Sequence, residues 1–187
     1  GIERIGNNCF RGFGGITSIQ LPDSLESIGE YAFYECASLV EVDFPENMDS
    51  LGRDAFYHCT SLVSADLENV KLNAIPYNAF EGCTSLRSIQ IPSSVERVES
   101  GAFKDCTQVN KLVLAEGVSY LGAEAFGGCE NIKSIMIPRS LRSVGASGEN
   151  GPFGAGLVSA SFAARTRSIA DGLFRGCSLL EDVAMPR

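Results

Sequence analysis

SLESIGEYAFYECASLVEVDFP, residues 24–45, holds the pattern that decides the fold. Its Phe33 recurs as Phe56, Phe80, Phe103 and Phe126 at intervals of 23, 24, 23 and 23, and Phe10 lies a further 23 upstream. Alanine precedes five of these six phenylalanines, Cys9 being the exception. Cysteine follows three residues later at Cys36, Cys59, Cys83, Cys106 and Cys129, and an aliphatic residue three after that at Leu39, Leu62, Leu86, Val109 and Ile132. With Ile16, Leu157 and Leu180 added at this position, successive spacings are 23, 23, 24, 23, 23, 25 and 23. A fixed period of this size marks a solenoid, in which each repeat is one supersecondary unit. Residues 1–187 therefore read as a single repeat domain of eight units, with no room for a second domain.

The physics of one unit is legible. In Leu39-Val40-Glu41-Val42-Asp43-Phe44-Pro45, Val42 and Phe44 face one way and Glu41 and Asp43 the other, the alternation of a strand. Pro22, Pro45, Pro92, Pro138 and Pro186 end that strand, because proline has no N–H for the ladder. Eight such strands are expected, centred on Ile19, Val42, Ala65, Ile89, Leu112, Ile135, Ala160 and Val183. A second apolar pair follows, such as Leu25 and Ile28 or Val95 and Val98, then a glycine turn at Gly6, Gly29, Gly52 or Gly122. The Glu-Tyr-Ala-Phe segment after it is too short for a stable helix, so a single helical or 3₁₀ turn is expected. No unit can bury its own apolar side, and stacked coils share one core. The extra residue of the 24-residue interval falls near Asn69 to Leu72 and reads as a turn insertion.

The consensus LxxIxIPxxLxxIgxxAFxxCxxL closely resembles the BspA-like, treponemal-type leucine-rich repeats of surface proteins. Residues 24–45 match it at nearly every defining position, and Cys83 to Pro92, CTSLRSIQIP, does so again. The resemblance covers all eight units. It implies a leucine-rich-repeat solenoid, a right-handed α/β-type superhelix with a curved parallel β-sheet on the concave face and single helical or 3₁₀ turns on the convex side. It also implies an extracellular or cell-surface, non-enzymatic adhesion or protein-binding module of bacterial type, and it names no ligand.

A composition of 44% hydrophobic and 20% charged residues is that of a globular chain, neither disordered nor coiled coil. No apolar run approaches the ~18 residues of a membrane span, and no signal peptide opens the chain, so membrane insertion is not expected. The first residues are Gly1-Ile2-Glu3 and the last Met185-Pro186-Arg187, directly after a strand; a fragment of a longer protein is the expectation. The net charge of −8 argues against nucleic-acid binding. That charge is lopsided: residues 1–93 carry thirteen Asp/Glu and five Lys/Arg, residues 94–187 ten of each. No Asn-x-Ser/Thr sequon occurs. A monomer is expected.

Seven cysteines at a spacing of 23–24 do not fit zinc pairs, which lie two to four residues apart. Five of them share one slot in successive coils and read as a buried, reduced ladder about 4.8 Å per step. His58, the one histidine, reads as an exposed loop residue without a nucleophile beside it. Val144 to Leu157, VGASGENGPFGAGL, breaks the pattern with Pro152-Phe153 in place of Ala-Phe and Gly156 in place of cysteine. It hints at a phosphate loop, but no lysine follows and a strand comes next, so a bulged or flexible loop is the reading. No cofactor, catalytic residue or metal ligand is assigned.

Function is expected on the outward strand residues of successive coils, which form a rigid array. The candidate ligand-binding residues are Glu41, Asp43, Asp66, Gln90, Lys111, Val113 and Met136: an acidic cluster at one end, a basic and apolar one at the other. The expected partner is a protein or glycan, a host matrix or cell-surface molecule. The alternatives are an intracellular scaffold, a structural spacer, Ca²⁺ binding by the same carboxylates, or a parallel β-helix carbohydrate-active enzyme using Asp43 and Asp66 about 5 Å apart. An open face without tryptophan speaks against the enzyme.

Overall fold

The computed structural model describes residues 1–186. Its coils contain two sets of strands. The short set is β1 (Arg4–Ile5), β2 (Ser27–Ile28), β4 (Ser50–Leu51), β6 (Ala74–Ile75), β8 (Arg97–Val98), β10 (Tyr120–Leu121) and β12 (Ser143–Val144). The longer set is β3 (Glu41–Asp43), β5 (Ser64–Asp66), β7 (Ser88–Ile91), β9 (Lys111–Leu114), β11 (Ser134–Ile137), β13 (Ser159–Phe162) and β14 (Asp182–Ala184). Every ladder is parallel and joins residues one repeat apart, as in Val42↔Ala65, Ile89↔Leu112 and Ile135↔Ala160↔Val183. The second apolar pair of each repeat thus builds two sheets of its own, β1-β2-β4 and β6-β8-β10-β12, a feature the sequence reading did not assign.

Seven of the eight expected longer strands form. Around Ile19 the chain is half-buried but not a strand; pairing starts with the Val40 N–H donating to the Thr17 carbonyl and goes no further. This segment follows Gly12, Gly14 and Gly15, which lose the most backbone entropy on ordering. The extra residue of the 24-residue interval lies between β5 and β6, where Lys71 is exposed while Val70 and Leu72 are buried.

The expected helical turn is absent: among the described residues there is no α- or 3₁₀-helix, and the helical half of the α/β description does not hold. Two columns of left-handed residues explain why. Two positions before each phenylalanine stand Asn8, Tyr31, Asp54, Asn78 and Glu124, and two after it Glu35, His58 and Asp105, all with φ between 51° and 58°. Glycines Gly12, Gly82, Gly101, Gly128, Gly172 and Gly176 fill the same columns in other coils, also with positive φ. Left-handed residues four apart cannot propagate a helix. The N–H groups instead cross to the next coil: Tyr31 donates to the Arg53 carbonyl at 3.1 Å, Phe33 to Ala55 and Glu35 to Tyr57, both at 2.7 Å. A third inter-coil ladder results.

Gly29, Gly52 and Gly122 do not need positive φ, contrary to the turn role expected of them. They bring backbones together: a Cβ on Gly52 would collide with the Glu30 amide of the preceding coil, and one on Gly122 with that of Ser100. Gly6, in the first described coil, has open space.

One hydrophobic cluster runs through the stack. At its centre are parallel phenylalanine rings, Phe33–Phe56, Phe56–Phe80 and Phe80–Phe103, with centroids 5.0, 5.3 and 5.1 Å apart and planes within 7°. Coil spacing and ring-stacking distance coincide, so phenylalanine suits this slot in every coil. Phe44 of the strand side meets Phe56 edge-on at 5.6 Å. Phe153 and Phe174 extend the stack despite the irregular repeat, at 5.9 and 6.5 Å.

Candidate functional site

The central longer strands alternate as an open binding face requires, whereas β14 is exposed throughout. Within β7, β9 and β11 the residues read exposed, buried, exposed, buried. Ile89, Leu112 and Ile135 reach the core, and Gln90, Val113 and Met136 point outward. All seven candidate residues are exposed, Val113 at 38% and Met136 at 62%.

Register brings some of them together. Asp43 lies directly beside Asp66, with Glu41 beside Ser64, on the β3–β5 ladder. Gln90 is beside Val113, and Ser88 beside Lys111, on β7–β9. Met136 lies on β11, the strand that packs next to β9 without a ladder between them, and pairs with Ser161 on β13. The acidic cluster and the Lys111–Val113 pair therefore occupy separate ladders of one face. An Asp66 carboxylate oxygen accepts the Glu68 backbone N–H at 2.8 Å, which turns that group toward its own loop. Among the described residues no three His, Cys, Asp or Glu side chains gather as metal ligands.

The cysteine ladder faces inward. Cys36, Cys59, Cys83, Cys106 and Cys129 are buried and free. Each thiol donates to a phenylalanine carbonyl of the preceding coil, as Cys59 Sγ does to Phe33 O at 3.1 Å and Cys83 Sγ to Phe56 O at 3.2 Å. Burial pushes the thiols of Cys36, Cys59, Cys83 and Cys106 above the ordinary value, and that of Cys177 up to about 11. His58 is exposed and stacks on Tyr57 at 4.2 Å, while the adjacent Cys59 thiol points away into the core. Tyr57 in turn stacks on Tyr34 at 4.8 Å, and Arg11 covers Tyr34 at 4.7 Å. These rings cover one another's faces, so they offer little platform for a sugar ring.

The broken repeat is tied down. Ser147 and Asn150 close a short turn, and Asn150 Nδ2 donates to Glu124 Oε1 at 2.8 Å. Glu124 also pairs with Lys104, and these two hydrogen bonds lower its carboxyl pKa. Gly151, Pro152 and Phe153 are buried behind this turn, and Gly156 fits where a side chain would strike the Glu130 backbone.

Sequence reasoning missed a second surface feature. Arg139, Arg142, Arg165 and Arg167 line a groove of about 620 Å³ with Glu116, Ser140 and Ser168. The signal was present as Arg-x-x-Arg and Arg-x-Arg in adjacent coils, with Arg142 and Arg167 one 25-residue repeat apart.

Parallel ladders at a repeat of about 23 residues, an apolar interior and an open outer face define the class: a leucine-rich-repeat β-solenoid. The description of BspA type leucine rich repeat regions matches residues 3–118 and 98–187, in 6 copies, and the chain belongs to that family. Its fold is similar to a leucine-rich repeat protein from Bacteroides ovatus ATCC 8483, with TM-score 0.68 and 23% identity over 98% of this chain and 58% of that one. A leucine-rich repeat protein from Eubacterium ventriosum ATCC 27560 gives 0.69 at 23% identity, covering 79% of this chain and 42% of that one. The T. pallidum leucine rich repeat protein gives 0.58 at 22% identity, covering 97% and 73%. The chain thus spans about half the length of the first two. No curated protein sequence matches it.

Proposed function

We propose that this chain is a non-enzymatic binding module, part of an extracellular or cell-surface protein, that holds a protein or glycan ligand on its longer-strand face. The observation that carries the reading is the pair of exposed apolar side chains, Val113 and Met136, on strands whose alternate residues are buried. A lone exposed apolar residue is ordinary, but two on adjacent ordered strands beside Lys111 suit a contact patch. Glu41, Asp43 and Asp66 set the opposite charge at the other end, and Gln90 lies between. A ligand along the solenoid axis meets carboxylates first and a cation with apolar neighbours last. Family membership supports the absence of chemistry, as does the inward aim of the thiols.

The test is a binding screen against matrix proteins and glycans, followed by Asp43→Lys/Asp66→Lys and Val113→Asp variants. Charge reversal on this rim changes association rate and salt dependence, because exposed pairs are worth only ~0–1 kcal/mol. Val113→Asp raises the dissociation rate. A ligand bound equally well by both folded variants contradicts the reading.

A further inference from the structure

The arginine groove has a charge balance its own side chains do not satisfy. It lies on the turns that follow β9, β11 and β13. Glu116 is the one acid lining it, and that carboxylate accepts the backbone N–H groups of Arg139 and Ser140, both at 3.2 Å. The Arg139 Nε reaches it only at 3.7 Å. Arg142 donates to the carbonyls of Arg139 and Leu141, which leaves its charge unpaired. Arg165 and Arg167 make no side-chain hydrogen bond or ion pair among the described residues.

The repeat register sharpens the point. The ladder that pairs Ile137 with Phe162 ends there, and Arg142 and Arg167, one 25-residue repeat apart, line the groove from successive coils. Like charges that line one groove oppose each other. Arg165 adds strain: its φ of 67° is the one positive value on a non-glycine residue outside the two columns flanking the phenylalanines, among the described residues. In a protein of net charge −8, four arginines converge on one groove with a single carboxylate.

We propose that this groove binds a polyanionic glycan, a sugar chain that carries sulfate or carboxylate groups at regular intervals. Guanidinium forks recognise such oxyanions with paired hydrogen bonds, and arginines repeated on successive coils suit a repeating charge. Every residue that lines it is polar or charged, and Phe162, Ile169 and Met185 line an adjoining pocket that shares Arg167 and Ser168. A single-stranded nucleic acid would want a stacking ring in the groove. A ligand polar along its whole length needs none, and polyglutamate tests the peptide alternative directly. The site lies off the longer-strand face, so it does not rest on the reading given for that face.

Heparin oligosaccharides are the direct probe, with desulfated heparin to separate sulfate from carboxylate recognition, and polyglutamate and single-stranded DNA as competitors. Wild-type protein should bind heparin with marked salt dependence. Arg142→Ser/Arg167→Ser should weaken it about tenfold and flatten the salt slope. Arg4→Ser/Arg87→Ser, which removes the same charge elsewhere, should leave affinity unchanged. Removing two unpaired like charges should not lower the unfolding midpoint, and Arg165→Ser gives an independent single-site check. Absence of heparin binding, an equal loss in the charge-matched control, or tighter binding of polyglutamate or DNA overturns the proposal.

Discussion

Cys83 shows what one side chain does in every coil. It is fully buried, its thiol bonds to Phe56 O, and that carbonyl also accepts the Cys59 N–H at 3.2 Å. Replacing it with alanine removes one buried sulfur without orphaning the carbonyl, and should cost ~1–2 kcal/mol. On sequence alone serine looks worse, because a buried hydroxyl needs a partner. The structure supplies that partner, so Cys83→Ser should fall within about 1 kcal/mol of Cys83→Ala in denaturant unfolding. The raised thiol pKa values also give a pH dependence. Cys59, Cys83 and Cys106 keep their protons when folded, whereas the unfolded chain loses them above the ordinary value of 9.0. The native state then binds more protons, and stability falls as pH rises. The loss is at most ~1.4 kcal/mol per pH unit for each such thiol. Urea midpoints at about pH 8 and about pH 10.5 should differ, and by less in Cys83→Ala. Burial of the cysteine slot was readable from its period; its hydrogen bond was not, because that depends on which way the carbonyl of another coil points.

Among elements, the strands were far more legible than the turn segment between them. Alternation and terminal prolines reveal a strand directly, since side chains on opposite faces meet different environments. The segment around each phenylalanine has helix-like spacing, yet Tyr31 and Glu35 adopt left-handed backbone and their N–H groups bond to the next coil. No local pattern announces this, because Tyr and Glu are not residues that favour positive φ. Where Glu35 stands, other coils use Gly82 and Gly128. Glu35→Gly should therefore raise stability by about 0.5–1 kcal/mol, the relief of left-handed strain outweighing the added freedom of the unfolded chain. The glycine column gives a sharper contrast. Gly52→Ala drives a methyl into the Glu30 backbone and should cost ~1–3 kcal/mol. Gly6→Ala, at the same repeat position with nothing near it, should be close to neutral. Equal effects from the two would mean that glycine serves the turn itself rather than the approach of coils.

The whole molecule is a one-dimensional stack in which coils are held by inter-coil hydrogen bonds, strand ladders that break at some coils, and a shared core. Repeat length, register and strand face were all legible because they recur. The candidate ligand residues were legible as outward positions only; which surface a partner uses depends on charges brought together between coils, as at Arg142 and Arg167. The irregular repeat at residues 144–157 looked like an interruption, but Phe153 continues the ring stack and Asn150 anchors the inserted turn to Glu124. The central claim, that inter-coil bonds and not helical turns hold the phenylalanine side together, is tested most directly by native-state amide hydrogen exchange. The amides of Phe33, Phe56, Phe80 and Phe103 donate to the next coil at 2.7–2.8 Å. They should exchange as slowly as those of Ile89 and Leu112 in the central strands, with one common opening free energy. Rapid exchange of the phenylalanine amides while the strand amides stay protected would contradict it.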